Sequence, residues 1–282
     1  MGTVMPVGYR RFMAARTPVG DLLREWRQRR RKSQLALACD ADISTRHLSF
    51  IETGRAQPSR EMLLHLAERL DVPLRERNVL LTAAGFAPMF EARPLDDPTL
   101  GAARQAVDWI LAGHEPFPAL AIDAHWNLLA ANRALAPLLA GVDAKLLAPP
   151  VNVLRLSLHP EGLAPRVVNL AEWRTHLLVR LQRQIDVTAD PVLIALAGEL
   201  RSYPTPIGVG TRIGARESEQ ARVAVPFKLR TERGVLSLLG TTTVFGTPVD
   251  ITLAELALES FFPADAATAA ALRDAASQYA SQ

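Results

Sequence analysis

The sequence predicts two domains of different class, an all-α domain of five short helices followed by an α+β domain, in a chain of 282 residues. Three observations carry that expectation. The length exceeds the ~100–200 residues of an ordinary single domain. Charge divides unevenly: residues 1–95 hold 16 Lys and Arg against 10 Asp and Glu, net +6, which leaves 16 against 19, net −3, for the remainder. Finally, the apolar spacing is helical through the first 90 residues and mixes helical and alternating periods after residue 100.

Each element of the first domain has its own signal. Leu22, Leu23 and Trp26 lie at helical spacing with charges on the other face, so residues 19–31 form an amphipathic helix. Ser33 caps a second helix, "QLALACDA", and Ser44 a third, because a Ser hydroxyl accepts from a backbone N–H that has no partner inside the helix. Leu48, Phe50 and Ile51 supply the inward positions of the third helix, and Gly54 follows it where a left-handed residue costs least. Ser59 caps "REMLLHLAERL", which closes at "DVP", and "LRERNVLLTAAG" is the fifth helix, ended by Gly85. Two helices separated by a tight turn inside such a bundle make a helix-turn-helix.

Residues 20–84 resemble the lambda-repressor-like, or Xre-type, helix-turn-helix family. The resemblance rests on "SQLALACDADISTRHLSFIETGRAQPS", in its length, its apolar positions and its E-x-G-x-x-x-P-S ending. It implies a double-stranded DNA partner, with the third helix in the major groove and its first residues at base edges. Thr45, Arg46 and Ser49 occupy the family's base-reading positions, and the Arg46 fork suits the O6 and N7 acceptors of guanine. Gln34, Ser44, Thr53, Arg55 and Ser59 stand at helix ends, where phosphate contacts are expected, although Ser44 and Ser59 are also caps. The basic run "RQRRRK" at 27–32 serves either as a phosphate-facing strip or as a solvated helix face.

Pro94 and Pro98 flank Asp96 and Asp97 in "EARPLDDPTLG", which reads as a linker. The expected organisation is an extension at 1–19, a DNA-binding domain at 20–90, a linker at 91–100 and a second domain at 101–282. In that second domain "QAVDWILAG" is helical, "PALAIDAHWNLLAAN" gives two strands about a turn at Asp123 to Trp126, and "NRALAPLLAGV" returns to helix. A long helix, "NLAEWRTHLLVRLQRQI", and "DPVLIALAGEL" precede a strand meander from Ala221 to Pro263. Its turns are expected at Glu232 to Gly234 and Gly246 to Pro248, and Asp265 caps a last Ala-rich helix. Helices then antiparallel strands imply an α+β fold with the helices on one face of the sheet.

"AIDAHWNLLAANRAL", "NVLRLSLHPEG", the long helix and "TTTVFGTPVDITLAELALESFFPADAAT" resemble the ligand-binding domain of MmyB-like transcription regulators, over about residues 100–275. That resemblance implies a PAS-like domain, a homodimer, and an elongated, small apolar ligand of the fatty-acid type. Asn132, Arg133, Arg155 and His159 coincide with the family's motif positions. From spacing alone, Trp173, His176 and Arg180 share one side of the long helix with Gln184, beside Leu177 and Leu181. An Arg fork there suits a carboxylate end, and the plainer alternative is side chains snorkelling at a core edge.

Composition is that of a globular protein, 49% hydrophobic and 22% charged. No apolar run approaches the ~18–20 residues that span a bilayer, and the start lacks a signal-peptide core, so a cytoplasmic protein without a membrane partner is expected. Cys39 stands alone, without His or Cys at metal spacing, so neither metal nor cofactor is expected beyond the ligand. A phosphate loop, a G-x-S-x-G elbow and paired metal histidines are all lacking, which argues against an enzyme; His159 in "HPEG" is the one weak catalytic candidate. The expected function is a one-component transcriptional regulator whose second domain senses the ligand. The competing reading is a constitutive DNA-binding protein whose second domain serves only dimerisation or partner docking.

Overall fold

The computed structural model describes residues 18–204 and 225–279. Most of the expected 1–19 extension, and the start of the meander at 221–224, lie outside the described residues. Contacts divide the chain into two units. One takes in the described residues through Arg93 with 186–188 and 248–254, and the other takes in the remainder.

Through Arg93 the described part of the first unit has five helices: α1 Val19–Arg29, α2 Gln34–Asp40, α3 Thr45–Glu52, α4 Arg60–Arg69 and α5 Leu74–Ala83. All three expected serine caps form. Ser33 Oγ accepts from Ala36 N at 3.0 Å, Ser44 Oγ from His47 N at 3.1 Å and Ser59 Oγ from Met62 N at 3.2 Å. The helices close on one apolar cluster, in which Leu23, Leu37, Leu48, Ile51, Leu63, Leu66 and Leu70 are wholly inaccessible. Gly54 has φ +71° just after α3, the left-handed conformation that glycine adopts without strain. Gly20 serves a different purpose. A Cβ there would lie 2.5 Å from Ile51 O and 2.7 Å from Glu52 O, so only glycine lets α1 cross the end of α3 this closely.

One buried charge organises the bundle. The Glu52 side chain is fully buried, and it accepts from Arg27 Nε at 2.6 Å, Arg27 Nη2 at 2.8 Å and Gln34 Nε2 at 2.8 Å. Burial raises the energy of its charged form, but the Arg27 and Gln34 hydrogen bonds and the charges of Arg27 and Arg24 outweigh this and hold its pKa below the ordinary carboxylate value.

The second unit contains α6 Gly101–Gly113, β1 Ala119–Ile122, β2 Leu128–Ala131, α7 Val153–Leu158, α8 Leu170–Thr188 and α9 Pro191–Ser202. These are followed by β3 Phe227–Thr231, β4 Gly234–Val244, β5 Ala257–Pro263 and α11 Ala266–Tyr279; α10 Ile251–Glu255, which falls almost wholly in the first unit, lies between β4 and β5 in the chain. The five strands form one antiparallel sheet in the order β2-β1-β5-β4-β3. Strand β5 thus lies centrally between β1 and β4, and its two faces look into two different cores.

On one face Leu120 and Ile122 join α7, α8 and α9 in the larger cluster, with Trp126, Leu154, Trp173, Leu177, Leu181 and Leu196. On the other face Ala119, Ala121, Leu256 and Leu258 pack with Val107 and Leu111 of α6. The fold is α+β and PAS-like, but its helices cover both faces of the sheet rather than one. Alternating side chains explain this, because β1 is apolar at every position and buries both faces. Two further elements differ from the reading of the sequence. "NRALAPLLAGV" contains only a short 3₁₀ turn, Ala136–Leu139, with Pro137 in its first turn, since a proline ring removes a donor and blocks continuation toward the N-terminus. The meander is interrupted between β4 and β5 by α10, whose first turn is capped by Asp250 Oδ1 accepting from Thr252 N at 2.8 Å.

Candidate functional sites

In the first unit, Ser44 and Arg46 at the start of α3 are exposed. The guanidinium carbon of Arg46 sits 5.3 Å from the centroid of the Phe50 ring, one turn on. Such a stack orders a long side chain before it meets a partner. The guanidinium carbon of the exposed Arg55 also lies 6.0 Å from the centroid of the same ring, so one half-buried phenyl meets two cations. Thr45 and Ser49 are half-buried beside Arg46. Thr53 closes the helix, donating its hydroxyl to Ser49 O at 2.7 Å. Ser44 and Ser59 are exposed at helix starts as well as capping. Gln34 is placed at the start of α2, but its amide nitrogen is engaged by Glu52.

The basic run has a largely internal use. Arg27 is bound by Glu52 and by Lys32 O at 2.9 Å, and Arg30 donates to Leu70 O and Asp71 O, each at 2.7 Å. Lys32 meets Asp40 at 2.7 Å and Arg69 O at 2.9 Å, while Arg29 pairs with Glu25. Arg27, Arg30 and Lys32 thus tie α1 and the turn after it to the other helices, so the positive charge offered by α3 and its flanks depends chiefly on Arg46, Arg55 and Arg60.

In the second unit, a cavity of about 250 Å³ lies between the sheet and α7 and α8. Its wall is mainly apolar, with Leu120 of β1, Leu154 and Leu156 of α7, Leu177 of α8, Phe227 of β3, Leu238 of β4 and Phe261 of β5 among the lining residues. The strand register makes the space. Gly240 pairs with Phe261 across β4 and β5, and Glu259 pairs with Leu120 on one side and Thr242 on the other. A side chain is missing at Gly240, and a cross-strand row runs from apolar to polar through Glu259.

The polar end is built from α8 and β5. Glu259 is buried, and its Oε1 accepts from Arg180 Nη2 at 2.7 Å and from Thr242 Oγ1 at 2.9 Å. Its Oε2 lies 3.3 Å from Arg180 Nη1. The same guanidinium lies 4.9 Å over the Trp126 ring. Trp126 adopts φ +66°, a costly conformation for a bulky residue, and its Nε1 donates to Gln184 Oε1 at 2.8 Å while Gln184 Nε2 donates to Ala124 O. Deeper in, Trp173 Nε1 donates to Ser157 Oγ at 2.8 Å, and the Trp173 ring stacks on His176 at 5.3 Å. Burial first, and the neighbouring Arg180 charge second, lower the His176 pKa, so its imidazole is neutral at pH 7.

Of the second-domain residues singled out from the sequence, Trp173, His176 and Arg180 line this cavity and the other four do not. Asn132 is buried elsewhere: its Oδ1 accepts from Ala119 N at 3.1 Å and its Nδ2 donates to Phe117 O at 2.7 Å, splicing β1 to β2. Arg133 is exposed and pairs with Glu115 at 2.8 Å. Arg155 pairs with Glu199 at 2.7 Å, and His159 packs edge-on against Tyr203. Glu259, Trp126 and Ser157 were not foreseen. For Glu259 a signal existed, since it alternates with Ala257 and Phe261 and so carries a charge on an apolar strand face.

Among the described residues, no group of three or more His, Cys, Asp or Glu could hold a metal ion, and no helix is long and apolar enough to cross a membrane. A family model described as "MmyB-like transcription regulator ligand binding domain" matches residues 103–275, more than half of the chain. A second, described as "Helix-turn-helix domain", matches residues 18–80. No curated protein matches the chain. Both matched families are domains of transcription regulators and not enzymes.

Proposed function

Because the chain belongs to the MmyB-like transcription regulators, joining a helix-turn-helix DNA-binding domain to a ligand-binding domain, we propose that it is a one-component sensor. In this reading it acts as an Xre-type homodimer on a roughly palindromic operator, and a small ligand with a fatty-acid-like chain occupies the cavity and biases DNA binding. Thr45, Arg46 and Ser49 read bases, while Gln34, Ser44, Thr53, Arg55 and Ser59 meet phosphates. Trp173, His176 and Arg180 contact the ligand. Two-fold symmetry would set half-sites ~34 Å apart or a multiple of that.

The observation that supports sensing is the cavity itself. Ligand sites are concave, mostly apolar and furnished with a few polar groups, usually at ~300–1,000 Å³. A space of about 250 Å³ with one polar end has that character and suits an occupant at the small end of the range. Coupling requires that the ligand favour one geometry of the dimer, since a ligand with equal affinity for two states shifts neither.

Native mass spectrometry of the purified protein, together with operator affinity at fixed salt with and without medium-chain acyl compounds, tests this. A co-purifying small molecule and a ligand-dependent change in affinity of ~5-fold or more are expected. No bound molecule and an unchanged affinity would leave the second domain as a dimerisation or docking scaffold.

A further inference from the structure

The polar end of the cavity carries a charge balance that restricts what enters it. Among the described lining residues there is one carboxylate, Glu259, and one guanidinium, Arg180. They are joined by two contacts, at 2.7 and 3.3 Å, and a third group, Thr242, bridges them with its hydroxyl at 3.0 Å from Arg180 Nη2 and 2.9 Å from Glu259 Oε1. The guanidinium is further occupied by the face of Trp126. The remaining titratable lining group, His176, stands neutral at pH 7. Arg183 and Glu172 act on His176 from its own helix, with opposite signs. Among the described lining residues, positive and negative charge therefore cancel.

A carboxylate head would enter this space as a net negative charge. It would have to share the partly exposed Arg180 with the buried Glu259, placing two carboxylates on one guanidinium, and a like charge beside a buried carboxylate is disfavoured. An uncharged head meets no such obstacle. A hydroxyl or amide can donate to a second lone pair of Glu259 or exchange hydrogen bonds with His176 and Ser157 while the ion pair stays intact. We infer that the cavity selects an apolar chain ending in an uncharged hydrogen-bonding head, a fatty alcohol or acyl amide rather than a free fatty-acid anion, because Glu259 already neutralises Arg180.

This inference rests on the reading that the cavity binds a ligand, and its test separates the two. Binding of 1-decanol, decanamide and decanoate to the full-length protein, each below its aggregation threshold, is followed by intrinsic fluorescence, since Trp126 and Trp173 line the cavity. At pH 8 the alcohol and the amide should bind with similar affinity, and decanoate at least ~30-fold more weakly, because a carboxyl with pKa ~4–5 is almost wholly ionised there. Lowering the pH toward 6 should tighten decanoate by up to ~10-fold per pH unit, while leaving the alcohol within ~3-fold.

Glu259→Gln keeps the shape and frees the charge of Arg180, so it should raise decanoate affinity at pH 8 by ~10-fold or more. Decanoate binding the wild-type protein at pH 8 as tightly as decanol would overturn the uncharged-head rule while upholding the ligand site. If none of the three binds, both the rule and the ligand-sensing reading fall together. The wild-type comparison stands even if the Gln variant does not fold.

Discussion

Among the described residues each unit of this protein buries one glutamate against an arginine, and the two pairs do different things. The Glu52 side chain, at the end of α3, is fully buried and is held by Arg27 and Gln34. Glu259 meets Arg180 and Thr242 at the wall of a cavity. The first pair is a structural tie that holds α1, α2 and α3 in register. The second is held in place by a β-sheet and a long helix, and one side of it is left for a ligand. Charge pairing is therefore common to both regions. What distinguishes a site from a tie is whether the neighbouring residues complete the enclosure, as Gln34 does, or fall short of it, as Gly240 does.

The largest expected effect follows from breaking the closed pair. Glu52→Ala strands the Arg27 guanidinium, whose side chain is only 11% exposed, and removing one partner of a buried pair costs ~3–5 kcal/mol. Urea unfolding of the isolated 18–90 fragment and of the full chain should both show the loss. Glu259→Ala should lose roughly half as much or less, because water can enter the cavity and solvate Arg180. Equal losses for the two variants would erase the distinction between tie and site.

Two glycines sharpen the same contrast at a smaller scale. Gly20→Ala drives a methyl to 2.5 Å from Ile51 O, so overpacking should cost ~1–3 kcal/mol in the first unit. Gly240→Ala meets only the Phe261 ring, at 3.5 Å from Cε1 and 3.8 Å from Cδ1, ordinary contacts, and should change stability by less than ~0.5 kcal/mol. Its cost should appear instead as weaker binding of any cavity ligand, measured by the same fluorescence titration. A destabilised Gly240→Ala would mean that the cavity wall is as tightly packed as the helix crossing.

On the DNA-reading side the two cations that share Phe50 should part company. Arg46→Ala should weaken the operator by ~1–3 kcal/mol and random DNA far less, whereas Arg55→Ala should weaken both alike and reduce the salt slope by about one phosphate contact. Filter binding over a salt series reads both quantities. Equal losses on the two DNAs for Arg46→Ala would remove it from base reading.

These contrasts also show what a sequence can and cannot carry. The first unit was legible because its signals are local. Ser33, Ser44 and Ser59 form their cap hydrogen bonds within three residues, and Gly54 adopts its left-handed conformation beside the helix it ends. The Glu52 tie was not legible, since Arg27 and Gln34 are 25 and 18 residues away in the chain. In the second unit, helix spacing placed Trp173, His176 and Arg180 on one side of α8, because that is a property of a single element. Glu259 is 79 residues from Arg180, and only the strand order that sets β5 in the sheet centre brings them together. Asn132, Arg133, Arg155 and His159 stood out as polar residues in apolar segments. Whether such a residue turns toward a cavity, a backbone splice or solvent depends on partners such as Glu115, Glu199 and Tyr203, which no local period reveals.

The smallest expected effect separates the units by pH. In the first, Glu52 has a folded pKa below its unfolded value, so its contribution is present above the ordinary carboxylate range and is lost as pH falls through the folded value. In the second, His125 Nε2 lies 2.8 Å from Asp190 Oδ2, and the Asp190 hydrogen bond, against burial, raises the His125 pKa. For a raised histidine the sign reverses. The stabilisation is complete below the ordinary His pKa of ~6.5 and is lost as pH rises through the folded value. Asp190 also caps α9 by accepting from Val192 N at 2.7 Å, a role that Asn retains, so Asp190→Asn isolates the ion pair. Both groups are half-buried, which limits the effect to ~1 kcal/mol or less. Urea midpoints for the second transition should then differ between wild type and Asp190→Asn at pH 5.5 and converge by pH 8.5, while the first transition is the same in both proteins. A difference that persists at pH 8.5 would mean that Asp190 acts through its cap, and that the two units do not weaken at opposite ends of the pH scale.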